Sequence, residues 1–178
     1  NMDEVMQQLF RWWDNAIVAK RTPVLLCYSL GKAQRIMAEV GNRTDRSVLV
    51  HSAVAKLNMQ YEKQNIKLCP WRLASEGKHQ FTHDLVIAPP QVVNSAFLNR
   101  FKSVEVAMAS GWMQVRGIRR RAAVNQGFVI SDHADWNGLL RTVAESKAHT
   151  IFSTHGETST ITRYLNETTS VNAVPLET

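Results

Sequence analysis

The sequence predicts an α/β fold built on a mainly parallel sheet flanked by helices. Three observations carry the expectation. Short apolar runs and segments with helical spacing alternate four times along the first 110 residues. "VLLCYS" is a short apolar run suited to a strand buried on both faces, and the same strand-then-helix alternation recurs at "SVLVHS", "LVIAPP" and "VEVAMAS". The segments between them are long enough to return the chain to the same end of a sheet, which is what parallel neighbours require.

In order, Val5, Leu9, Trp12, Trp13, Ile17 and Val18 recur at spacings of three and four, giving an amphipathic opening helix. "VLLCYS" follows Pro23 as a buried strand, and "LGKAQRIMAEV" continues as a helix up to Gly41. "SVLVHS" leads into the helix-like "AVAKLNMQYEKQ", and "LVIAPP" into "QVVNSAFLNRF", which is read as a third crossover helix. Residues 65–83, with scattered Pro, Trp, Gly and two His, read as an irregular excursion. Beyond 126 come the strand "GFVIS", the helix "DWNGLLRTVAESK", the strand "HTIFSTHG", a short helix "TSTITRYLNE" and a final "NAVPLE".

The 178 residues suffice for one domain with a real core, or one domain and part of another. With 44% hydrophobic and 20% charged residues, the composition is that of an ordinary globular protein. No apolar run reaches membrane-span length and the opening "NMDEVMQQLF" is acidic where a secretory signal would be basic, so the expectation is a soluble, cytoplasmic protein with no membrane partner. Cys27 and Cys69 lack zinc or redox spacing and read as buried thiols. The net charge of +6 is uneven: residues 1–126 hold 18 Lys/Arg against 9 Asp/Glu, and residues 127–178 hold 3 against 6. A basic body points to a polyanion such as nucleic acid.

Ligands of open α/β sheets collect beyond the carboxyl ends of strands. Four polar corners occupy such places: Ser29-Leu30-Gly31-Lys32, Ser110-Gly111, Ser131-Asp132-His133 and Ser153-Thr154-His155-Gly156. The first could offer Lys32 and backbone N–H groups to a phosphate, or be a plain strand-to-helix turn; Leu26 and Ala33 stand where a Walker A loop needs Gly and Ser/Thr. The second leads into Arg116, Arg119, Arg120 and Arg121, interleaved with Trp112, Gly117 and Ile118. Arginine forks suit phosphate, although such a run is also the ordinary make-up of a solvated face. His133 and His155 each follow a strand. Either alone would more often be structural, and Asp135 stands where a helix N-cap belongs. His79 and His83 are four apart without helical surroundings, a chance spacing.

The stretch "SGWMQVRGIRRRAAVNQGFVISDHADWNGLL" followed by "STHG", together with "LLCYSLGKAQRI", "LVIAPP" and the opening "RWW", resembles the ligase-associated exonucleases, bacterial members of the β-CASP branch of the metallo-β-lactamase superfamily. The resemblance implies that residues 1–126 form a β-CASP domain and residues 127–178 the C-terminal segment of a metallo-β-lactamase domain. It implies a metal-dependent exonuclease acting on phosphodiester bonds of single-stranded DNA, with RNA and its 3′-end processing left open. Two divalent metal ions, zinc or manganese, would serve it. His155 would be a metal ligand and His133 would attend the leaving oxygen. Lys32, Ser110, Gly111, Arg116, Arg119 and Arg120 would contact nucleic acid, and an ATP-dependent DNA ligase and a helicase are partners by family context. The superfamily signature His-x-His-x-Asp-His is absent from these residues, so they read as a fragment that neither holds the metal ions nor cleaves alone. The rival reading is a non-catalytic nucleic-acid-binding or assembly module of β-CASP type.

Overall fold

A computed structural model describes residues 1–75, 82–115 and 124–176. These divide into two compact units, Asn1–Asp132 and His133–Thr178. The first is α/β: a six-stranded sheet in the order β3-β2-β4-β1-β5-β6, every described pairing parallel. Its strands are β1 (Thr22–Leu26), β2 (Val48–Val50), β3 (Trp71–Leu73), β4 (Leu85–Ala88), β5 (Val104–Ala109) and β6 (Gln126–Phe128).

Central β1 explains why its run reads as continuously apolar. Alternate side chains point to opposite faces, and both faces are covered. Leu25 joins a core with helices α1 (Met2–Val18), α2 (Lys32–Gly41) and α3 (Ser52–Lys63), through Met6, Leu9, Trp13, Ile36, Met37, Val40 and Val54. Val24 and Leu26 face the other way, against Val86, Val92 and Phe101. Trp13 anchors the first core: its Nε1 donates to the His83 carbonyl at 2.7 Å, and the Arg46 guanidinium lies 3.6 Å above its ring.

Two expectations fail locally. "QVVNSAFLNRF" does not form a crossover helix but two short 3-10 turns, Pro90–Asn94 and Leu98–Arg100. Ser95 interrupts it, its hydroxyl donating to the Val92 carbonyl at 3.0 Å and accepting from the Phe97 amide at 3.2 Å, a local alternative to helical bonding. The segment 65–83, read as irregular, contributes β3, whose pairing with β2 needs only three residues. β6 pairs with β5 from Ala107↔Gln126 to Ala109↔Phe128, and the first compact unit runs on to Asp132, past the charge step at residue 126.

The second unit contains α4 (Trp136–Ser146), β7 (Thr150–Ser153), α5 (Thr158–Thr168) and β8 (Asn172–Pro175). β7 and β8 pair in parallel across α5. Asp135 caps α4, its carboxylate accepting from the Gly138 amide at 2.7 Å. Among its described residues Thr162, Leu165 and Ala173 are buried. No helix of the described residues is long and apolar enough to cross a membrane.

Gly41 offers a test of the packing. Alanine is favoured over glycine inside a helix by about 1 kcal/mol, but a Cβ here would lie 3.0 Å from the Cys69 amide nitrogen and 3.1 Å from its Cα. Backbone atoms do not rotate away, so the clash should win. Gly41→Ala is expected to lower the urea-unfolding free energy by roughly 1–3 kcal/mol; a stabilised variant would show that the chain around Cys69 yields without cost.

Candidate functional site

Three of the four polar corners meet at the carboxyl edge of the first unit's sheet. After β1 the chain turns toward β2 through α2, whereas after β5 it proceeds to β6 on the opposite side of β1. The connections therefore diverge beyond β1 and β5, where open α/β sheets form ligand crevices. A cleft of about 470 Å³ lies there, lined by Cys27, Tyr28, Pro90, Gln91, Met108–Ser110, Trp112 and Met113.

Each wall is fixed by local structure. The corner after β1 turns at Gly31, whose φ of +76° favours glycine, and Gln34 donates from below to the Ser29 carbonyl at 3.0 Å. Lys32 is only 2% exposed, and its ammonium pairs with the Asp132 carboxylate at 2.9 Å. The same ammonium lies 4.8 Å from the centre of the Tyr28 ring, a cation–π contact that holds a ring otherwise 54% exposed. Arg35 donates to the Ser131 carbonyl at 2.6 Å, so α2 grips the segment after β6 twice. The corner's amides are spent internally as well, Lys32 N donating to Leu30 O and Ala33 N to Tyr28 O. Where the sequence suggested an anion from outside, the fold supplies a carboxylate of its own.

On the opposite wall Ser110 caps a 3-10 turn, Gly111–Gln114, by accepting from the Trp112 amide at 3.3 Å. Gly111 is needed for closeness: a Cβ there would stand 3.3 Å from the Cβ and Oγ of Ser131. Met113 is buried beneath the turn, and Trp112 is left 64% exposed on its rim. Cys27 also lines the cleft, but burial pushes its thiol up to about 12, the nearby Lys32 lowering it less than burial raises it. At neutral pH it is a thiol and no nucleophile.

Sequence reasoning placed Lys32, Ser110 and Gly111 here and the structure brings them to one edge, Lys32 as a buried support. Arg116, Arg119 and Arg120 lie outside the described residues, as does His79. His133 and His155 both belong to the second unit and are exposed. His155 follows β7 with φ +64°, and its Nδ1 is 3.1 Å from the Thr154 hydroxyl, leaving Nε2 as the nitrogen that could ligate. Among the described residues no three His, Cys, Asp or Glu side chains converge as a metal site. A single exposed histidine does not fit a two-metal centre, which needs several fixed ligands. Tyr28 was missed because "VLLCYS" reads as one buried run, and the Lys32–Asp132 pair because 100 residues separate its members.

Fold and cleft together define an α/β protein with a mostly apolar crevice at the switch point of a parallel sheet. The chain is 31% identical over 167 residues to a protein from Opitutus terrae named "Probable DNA ligase"; the match covers 92% of this chain and 16% of that protein. The chain thus spans about one sixth of the relative's length. No family model matches the sequence, and no solved structure matches it.

The Lys32–Asp132 pair yields a stability prediction. Removing Asp132 would leave a buried ammonium without its counter-charge, whereas removing both charges would not. Since the Asp132 side chain is 29% exposed, Asp132→Ala should cost near the lower end of roughly 3–5 kcal/mol. Lys32→Met combined with Asp132→Ala should recover much of that loss in urea denaturation. Equal losses in the single and double variants would show that the stranded charge is not the cause.

Proposed function

We propose that this chain is the nucleic-acid-binding portion of a metal-dependent exonuclease whose substrate is single-stranded DNA. The observation that carries the reading is the pair of exposed aromatic rings, Tyr28 and Trp112, lining a cleft with no charged side chain among its described residues, within the strongly basic part of the chain. Proteins that hold single strands combine basic surface for phosphates with aromatic planes for bases. The ligase-named relative adds a DNA context, since the matched sixth of that protein lies within a chain named for joining DNA.

The hydrolytic half of the proposal rests on the resemblance of "ISDHADW" and "STHG" to the β-CASP exonucleases. In that reading His155 ligates one of two zinc or manganese ions, His133 stands near the leaving oxygen, and Arg116, Arg119 and Arg120 hold the strand. The remaining metal ligands are not among these 178 residues. Binding is therefore the activity to seek in this chain, and cleavage the one it should lack.

Fluorescence anisotropy with labelled single-stranded DNA across a salt series, alongside a manganese- or zinc-supplemented cleavage assay, tests both halves. Binding should weaken steeply with salt, and replacing Arg116, Arg119 and Arg120 by Ala should flatten the log–log slope by about 2, at roughly 0.7 per phosphate contact. No cleavage should be seen. An unchanged slope would make the arginines a solvated face, and metal-dependent cleavage abolished by His155→Ala would contradict the incomplete metal centre.

A further inference from the structure

We infer that the cleft between Tyr28 and Trp112 is a base-stacking subsite: it takes one unpaired nucleobase of a single strand and keeps the phosphates outside. The inference rests on the nucleic-acid reading above and adds what enters the cleft.

Charge decides between base and phosphate. Among the described residues none of those lining the cleft is charged, and the lining is Met, Ala, Pro and aromatic carbon with the polar groups of Gln91, Ser110 and Cys27. Lys32, whose ammonium lies against the Tyr28 ring, is already neutralised by Asp132. From the described lining a phosphate would gain no counter-charge for the water it loses, which is costly. A base loses little, since its faces are apolar and its edge needs only a few hydrogen bonds. About 470 Å³ lies within the usual range of roughly 300–1,000 Å³ for small-ligand sites.

The lining also has the chemistry of a base site. Trp112 and Tyr28 supply planes for stacking, and the thioethers of Met108 and Met113 make favourable contacts with aromatic rings. The Gln91 amide carries both donor and acceptor groups, so it can meet the edge of any base. The Tyr28 ring is held before a ligand arrives by the Lys32 ammonium, and the backbone that carries Trp112 is fixed by the Ser110-capped turn. The Tyr28 side chain therefore has little freedom left to lose on binding. A double helix would be excluded, because its bases are already stacked and paired.

The test compares a dT12 strand, a 12-mer of the same backbone made of abasic tetrahydrofuran units, and a 12-bp duplex, against the wild-type chain and its Trp112→Ala, Trp112→Phe and Tyr28→Ala variants, by anisotropy at fixed low salt. Both rings are exposed, so circular dichroism should find the variants folded. Wild type should bind dT12 about tenfold more tightly than the abasic strand, within the range expected for stacking one base on an aromatic side chain. Trp112→Ala should erase most of that difference, Tyr28→Ala part of it, and Trp112→Phe should retain most. A parallel salt series with dT12 should give a slope unchanged in all three variants. Equal wild-type affinity for dT12 and the abasic strand, or equal weakening of both by Trp112→Ala, would overturn the subsite while leaving nucleic-acid binding intact. Failure to bind any strand would overturn both.

Discussion

An ammonium group almost wholly removed from water must have a counter-charge, and Lys32 finds it in Asp132. That pair joins the corner after β1 to the end of the segment after β6, residues a hundred positions apart in sequence. Its consequences reach both walls of the cleft. The ammonium holds the Tyr28 ring. The segment it fixes contains Ser131, against which the Gly111 turn packs so closely that a methyl group would be tight. A neutral pair of similar shape could pack there too, but it would not fix the ring by a cation–π contact. The pair is better understood as fixing geometry than as adding net stability.

The same arrangement divides labour between charge and surface. The first 126 residues carry an excess of nine positive charges, yet among the described residues none lining the crevice at their sheet edge is charged. Positive surface attracts a polyanion at long range with little regard to its sequence. In the proposed reading, a slot with aromatic walls adds a short-range preference for exposed bases. The two contributions are separable in experiment because only the first depends strongly on salt.

Legibility in the sequence followed the range of the interactions. The strands and α1 to α3 were readable because burial imposes a period within each segment: Leu25 and its neighbours are apolar without alternation because both faces are covered. The stretch from Pro90 to Arg100 looked helical by spacing, and Ser95 diverted its hydrogen bonds into 3-10 turns. β3 was hidden because three paired residues leave no periodic signal. At the site, the small polar corners were visible from their positions after strands. The ion pair was not, since no local pattern links Lys32 to Asp132. Tyr28 looked buried because it directly continues a buried run, and only the turn at Gly31 shows why the chain leaves the sheet before its ring is covered.

Photo-cross-linking addresses the central claim, that a base enters the cleft between two aromatic rings. A single strand carrying 5-iodo-deoxyuridine, irradiated with the 178-residue chain and mapped by mass spectrometry, reports which side chains lie against the base. Adducts on Trp112 or Tyr28, suppressed by an excess of unmodified single strand but not of duplex, are the predicted result. Adducts confined to residues that do not line the cleft, with none on either ring, would contradict it.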